Sequence, residues 1–227
     1  MTITTTKLTR AAGVAAAVAG LIFIGIQINH PHLDATSITT TDVVVRNTLK
    51  VVMAALALVG ITGIYLRQME KTGVLGLLGY VLFAVGYFTM LGIEFVGAFV
   101  LPTLAPDAPA YVNDVLATAT NGNVIGDIGP MQTAILVTGI AYLAGGFVFG
   151  ITLFRANVLA RWAAALLAGG SLVTIATSIL PQYQRLFAIP TGVALVGLGL
   201  SLWREQRIAS SESVPHVRTS QLNPAGV

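Results

Sequence analysis

The sequence predicts an all-α fold, a polytopic transmembrane bundle of about six helical spans with both termini inside (N-in/C-in). Three observations carry this expectation. Of 227 residues, 55% are apolar and 9% are charged, with a mean hydropathy of +0.83, whereas a soluble domain carries roughly 25% charged residues. The apolar residues fall in unbroken runs long enough to cross a bilayer as helices, unlike the alternating pattern of a barrel strand. The basic residues stand singly or in pairs at the ends of those runs, where they set topology.

The first run, 11–28, follows Lys7 and Arg10 as the core of a signal peptide would. Its apolar stretch is longer than such a segment, and Ile26, Gln27 and Ile28 stand where small cleavage-site residues belong. It is expected to remain as an anchor. Runs 43–66 and 74–101 are joined by a short turn bearing Arg67 and Lys71. A long connection follows, in which 108–118 has helical spacing (Val112, Val115, Leu116). This piece is read as an interfacial loop at the outer mouth in preference to a functional lid, and Asn121-Gly122-Asn123 marks a turn after it. Runs 133–154, 162–180 and 186–203 complete the set. Residues 1–207 are thus expected to form one transmembrane domain, and the Ser- and Pro-rich 208–227 a disordered cytoplasmic tail.

Orientation follows from counting Lys and Arg. With the N-terminus inside, the cytoplasmic set is Lys7, Arg10, Arg67, Lys71, Arg155, Arg161, Arg204, Arg207 and Arg218, against Arg46, Lys50 and Arg185 outside. That bias assigns the chain to the cell (plasma or inner) membrane with cytoplasmic termini. The net charge of +3 does not gather into a basic patch, which excludes nucleic acid as a partner. The absence of cysteine excludes disulfides and thiolate chemistry. Gly197-Leu198-Gly199 and Gly126-Asp127-Ile128-Gly129 lack the strand–turn–helix setting of a phosphate loop, so no cofactor is expected. Gly73, Gly76, Gly79 and Gly86 in the third run, with Gly145, Gly146 and Gly150 in the fourth, are read as close-packing positions. No feature of the chain encodes an oligomeric state.

Chemistry concentrates near one end. Glu94 is the only acidic residue inside a run. At about 1.5 Å per residue it lies roughly 30 Å along its helix from Gly73, near the outer edge of the hydrocarbon. Lys50 falls roughly 25 Å from Arg67, His30 roughly 30 Å from Arg10, and Gln132 roughly 35 Å from Arg155. With Gln27, Asn29, Arg46 and Asn47 these form one outer polar layer. Its acid, amine and imidazole suit proton transfer or polar recognition. Ahead of that reading, Glu94 and Lys50 are expected to neutralise each other as a structural pair, and a lipid-headgroup contact is the remaining alternative. Tyr80, Tyr87 and Glu94 are spaced by seven, with Phe83 on the same side, giving an aromatic stripe that lines either a cavity or ordinary core. His30-Pro31-His32-Leu33-Asp34 has His-x-His spacing, yet it reads as a turn capping the first helix, not as a metal site.

Three functions fit. One is an enzyme acting by acid catalysis on a lipophilic, isoprenoid-like molecule, with Glu94 catalytic and Tyr80, Tyr87, Phe83, Lys50, His30 and Gln132 holding the substrate. In size, helical membrane character and a carboxylate above two tyrosines, the chain resembles the membrane-integrated terpene cyclases. Those are small polytopic proteins that start carbocation cyclisation with a carboxylic acid. The resemblance implies Glu94 as that acid, with Tyr80 and Tyr87 steadying positive charge. A small proton-coupled transporter is the second reading. The echo of Gly60-Ile61-Thr62 in Gly150-Ile151-Thr152 is parallel, however, not the inverted repeat common in such carriers. A non-catalytic accessory or sensor subunit is the third. The enzyme leads because acid and base candidates share one layer.

Overall fold

The computed structural model describes residues 3–120, 122–175 and 184–212, and among these every regular element is helical. The elements are α1 (Thr5–Gly25), a 3-10 turn (Ser37–Thr39), α2 (Thr41–Phe95), a π-helical turn (Val96–Val100), α3 (Leu101–Leu104), α4 (Pro109–Ala119), α5 (Pro130–Ala156), α6 (Arg161–Ile175) and α7 (Gln184–Glu212). Three stretches, Thr5–Gly25, Thr41–Leu104 and Pro130–Ala156, are long and apolar enough to cross a membrane. The end of the run expected to reach 180, the turn residue Asn121 and the tail beyond 212 lie outside the described residues.

The 64 residues of Thr41–Leu104 would reach about 96 Å if straight, three times a bilayer core. They fold back instead. Gly73 has φ 58° and ψ −156°, a region that side chains essentially forbid and that only glycine enters without strain. The two arms of α2 then run antiparallel. Contacts step away from Gly73 in matched pairs: Tyr65 stacks on Tyr80 with ring centroids 4.6 Å apart, and the hydroxyls of Thr62 and Tyr80 meet at 3.0 Å. Further out come Lys50 with Glu94 at 3.3 Å and Asn47 with Gly97 at 3.1 Å. The turn expected between two helices is therefore a single glycine within continuous helix.

Around this hairpin the remaining helices close a ring in which neighbours run antiparallel. α1 packs on the first arm through Ala16 against Gly60, and on α7 through Gly13 against Gly199. The second arm packs on α5 through Gly79 against Phe149 and Gly86 against Tyr142. Gly150 of α5 meets Ala168 of α6, and Gly197 of α7 meets Trp162 and Ala163. A Cβ on Gly86 would stand 2.6 Å from the Tyr142 nitrogen, so side-chain-free positions set how near these backbones come. Gly79, Gly86, Gly145 and Gly150 pack as the sequence predicts, whereas Gly73 serves the reversal and touches nothing.

The core divides in two. Phe83, Tyr87, Phe149, Ile61, Leu195 and their neighbours fill the ring. A second cluster (Ile38, Val43, Leu101, Val112, Val115, Leu116, Ile128) lies where α4 and the loops cover one end. The opposite end is basic. There Arg10 sits over the Trp203 ring at 5.9 Å, Arg161 over Phe154 at 4.2 Å, and Arg67 grips both carboxylate oxygens of Glu205.

A candidate ligand cavity beneath α4

The helix bearing Glu94 is interrupted just beyond it, and Pro102 accounts for this. At the end of the π-turn the Leu101 N–H reaches back five residues, to Val96. The next donor in that series would be Pro102, which has no N–H, so the Gly97 carbonyl is left without a backbone partner. Asn47 supplies the missing donor: its side-chain N–H reaches the Gly97 oxygen at 3.1 Å, in a buried setting. This bond fixes the outer ends of the two α2 arms in register. One turn further along the first arm, Lys50 meets Glu94, their side chains 14% and 23% exposed.

The end of α1 completes the polar layer. Asn29 turns the chain with φ 47°. Arg46 anchored on Asp42 donates to the Ile28 and Ile26 carbonyls at 2.9 and 3.4 Å, closing the C-terminus of α1. This places Gln27 and His30 beside Lys50 and Glu94. His30 Nδ1 donates to the Pro31 carbonyl at 2.8 Å, since a carbonyl only accepts. These groups share a cavity of about 260 Å³ whose other walls are largely apolar, including Phe23, Met53, Met90, Ile93 and Met131.

α4 forms the cover. Its Val115, Leu116 and Ala119, with Thr120 beyond, line the cavity. Two side-chain ties hold it there: Asn113 accepts the Ala35 N–H at 2.7 Å, and Asp114 accepts the N–H groups of Ile125 and Gly126 at 2.9 and 3.0 Å. The stretch whose spacing is helical in the sequence is thus a helix, with its apolar face over the cavity.

Of the residues singled out from sequence, Glu94, Lys50 and His30 come together, joined by Gln27 and Asn47. Tyr80, Phe83, Tyr87 and Gln132 do not line the cavity. Tyr80 is tied to Tyr65 and Thr62, and Gln132 is exposed beside the lining residue Met131. Phe83 and Tyr87 are wholly buried and pack edge-on at 4.9 Å, each 5.4 Å from the Tyr142 ring. Tyr80 and Glu94 both meet the first arm, whereas Tyr87 between them packs against Tyr142 of α5. Tyr142 itself lines the cavity and went unnoticed in the sequence, where it is one aromatic in an apolar run. Its hydroxyl is buried together with those of Tyr87 and Thr191, which neighbour it.

The His30–Asp34 tract is an irregular connection, and the turn follows it at residues 34–36. His32 is exposed, and Asp34 accepts the N–H groups of Thr36 and Ser37 at 2.8 and 2.7 Å. The Ser37 N–H, chief among these contacts, holds the Asp34 carboxyl below the usual carboxylate range. Among the described residues no three acidic or imidazole side chains gather as a metal set. What the cavity offers is a carboxylate and an ammonium side by side in apolar walls, a two-point contact for a polar head on a greasy guest. No protein-family model, curated protein or solved structure matches the chain.

Proposed function

We propose that this chain is a multi-pass membrane protein, six crossings with both ends cytoplasmic, that binds a small lipophilic molecule beneath α4 and acts on it through Glu94. Large apolar side chains point outward from the bundle, Phe88 at 68%, Leu136 at 61% and Leu186 at 58% exposed, as a lipid-facing surface requires. The basic end, richest in Arg and Lys, then lies in the cytoplasm and the cavity in the outer half. The observation that carries the functional reading is the Lys50–Glu94 pair lining an otherwise mainly apolar, covered cavity. A charge pair is costly in such surroundings, and its two groups offer a proton donor and acceptor within reach of one guest. Glu94 exchanges a proton with the guest while Lys50 carries the compensating charge. A reaction driven by proton transfer alone, such as isomerisation or cyclisation of an unsaturated isoprenoid-like chain, suits this equipment. The tyrosine stripe has no part in it, being core.

The test is to identify by mass spectrometry the lipophile that copurifies in mild detergent, then to compare variants. Met90→Trp narrows the cavity and is expected to expel the guest. Glu94→Gln keeps shape and is expected to retain the guest while turnover falls by about a hundredfold or more. Retention of the guest by Met90→Trp would move the site elsewhere, and full turnover by Glu94→Gln would remove Glu94 from the chemistry. A carrier would move the same guest across liposomes unchanged, with a pH dependence abolished in Glu94→Gln.

A further inference from the structure

The basic end holds a second recess, of about 550 Å³, between the start of α1, the Gly73 end of the first α2 arm and the α5–α6 turn. We propose that it is a binding site for a phosphate-bearing anion, either the headgroup of an anionic lipid or free phosphate. Two independent observations point to a ligand there. The first is Gln68, which lines the recess, is 1% exposed, and has no hydrogen-bond partner for either its amide nitrogen or its amide oxygen. A buried amide left unsatisfied is costly, and such groups are rare unless something outside the chain meets them.

The second is the N-terminus of α1, whose Thr5 and Thr9 line the same recess. The Thr4 hydroxyl accepts the Lys7 N–H at 3.3 Å, and the first bond of the helix ladder is Leu8 N–H to Thr4 oxygen. The amides of Thr5 and Thr6 therefore precede the ladder and carry the positive end of the helix dipole. The first turn contains no acidic residue to occupy them. Helix N-termini of this kind accept phosphate oxygens.

Arg67 lines the recess but is balanced by Glu205. Lys71 and Glu70, both exposed, also line it and oppose each other. Recognition thus rests on directed donors (the Gln68 amide, the α1 N-terminus, the Lys71 ammonium) more than on net charge. On the proposed topology this end lies in the cytoplasmic headgroup layer, open both to lipid phosphates and to solvent.

The protein is placed in nanodiscs of phosphatidylcholine, with or without a minor share of phosphatidylglycerol, and bound lipid is counted by native mass spectrometry. Separately, inorganic phosphate is titrated against detergent-solubilised protein and the melting temperature followed. Selective retention of phosphatidylglycerol identifies a lipid headgroup, and a saturable shift with millimolar phosphate identifies a free anion. Gln68→Leu is the decisive variant. It should raise the ligand-free melting temperature by removing the orphaned amide, yet weaken the anion by about tenfold. Lys71→Ala should weaken it several-fold and Lys71→Arg should restore it. If wild type favours neither ligand, or Gln68→Leu binds like wild type, the site is refuted.

Discussion

Counting residues alone places Lys50 and Glu94 at similar depth, because a helix rises by a fixed step and the basic residues mark one end. Their 3.3 Å contact needs one thing more, the rotation of each arm about its axis, which the hairpin supplies. The pair makes the first prediction. Glu94→Gln or Lys50→Met alone should cost about 2–3 kcal/mol of stability, less than a fully buried pair because both side chains are partly exposed. The double variant should recover most of that loss, as read from denaturation in detergent. Simple addition of the two losses would mean the groups are not coupled. Asn47 makes the second: Asn47→Leu strands the Gly97 carbonyl and should cost about 1–3 kcal/mol, with the π-turn loosening first in hydrogen exchange. Tyr142 was not legible in advance. Its place in the cavity wall depends on how α5 is turned against α2, and a run that is apolar all round has no face to read.

At the scale of elements, continuous apolar runs reveal helices readily because lipid leaves the backbone no other partner. What such runs conceal is which glycine does what. Gly73, Gly76, Gly79 and Gly86 look alike in sequence, yet Gly73 reverses the chain while Gly79 and Gly86 admit the backbone of α5. The two roles separate experimentally. Gly73→Ala meets no neighbouring atom, so its expected loss of about 1–3 kcal/mol comes from backbone conformation alone. Gly86→Val acts through contact instead, forcing α2 and α5 apart. It should lower the melting temperature further and disturb the Tyr87–Tyr142 packing, seen as altered tyrosine fluorescence. Equal tolerance of both substitutions would contradict the packing described. α4 was legible as a helical period but not as a cover, because its partners Ile38, Leu101 and Ile128 come from three other segments.

For the molecule as a whole, the structure places the chain's polar features at opposite ends of one ring of antiparallel helices. The cavity, α4 and the 3-10 turn lie at one end, and the Arg10–Trp203, Arg67–Glu205 and Arg161–Phe154 contacts at the other. With the six crossings proposed above, both termini would fall on one side, and the charge bias would choose which. That choice is testable without disturbing the fold, because the natural chain contains no cysteine and single reporters have no background. Thr39→Cys and Ile125→Cys lie at the cavity end, where Thr39 is exposed and Ile125 is 96% exposed. Both should react with a membrane-impermeant maleimide added to intact cells. Glu70→Cys, exposed at the basic end, should react only after permeabilisation. The reverse pattern would put the Lys50–Glu94 cavity in the inner half of the bilayer and require its guest to come from the cytoplasmic leaflet. Labelling of all three in intact cells would mean that the bundle does not separate two aqueous compartments.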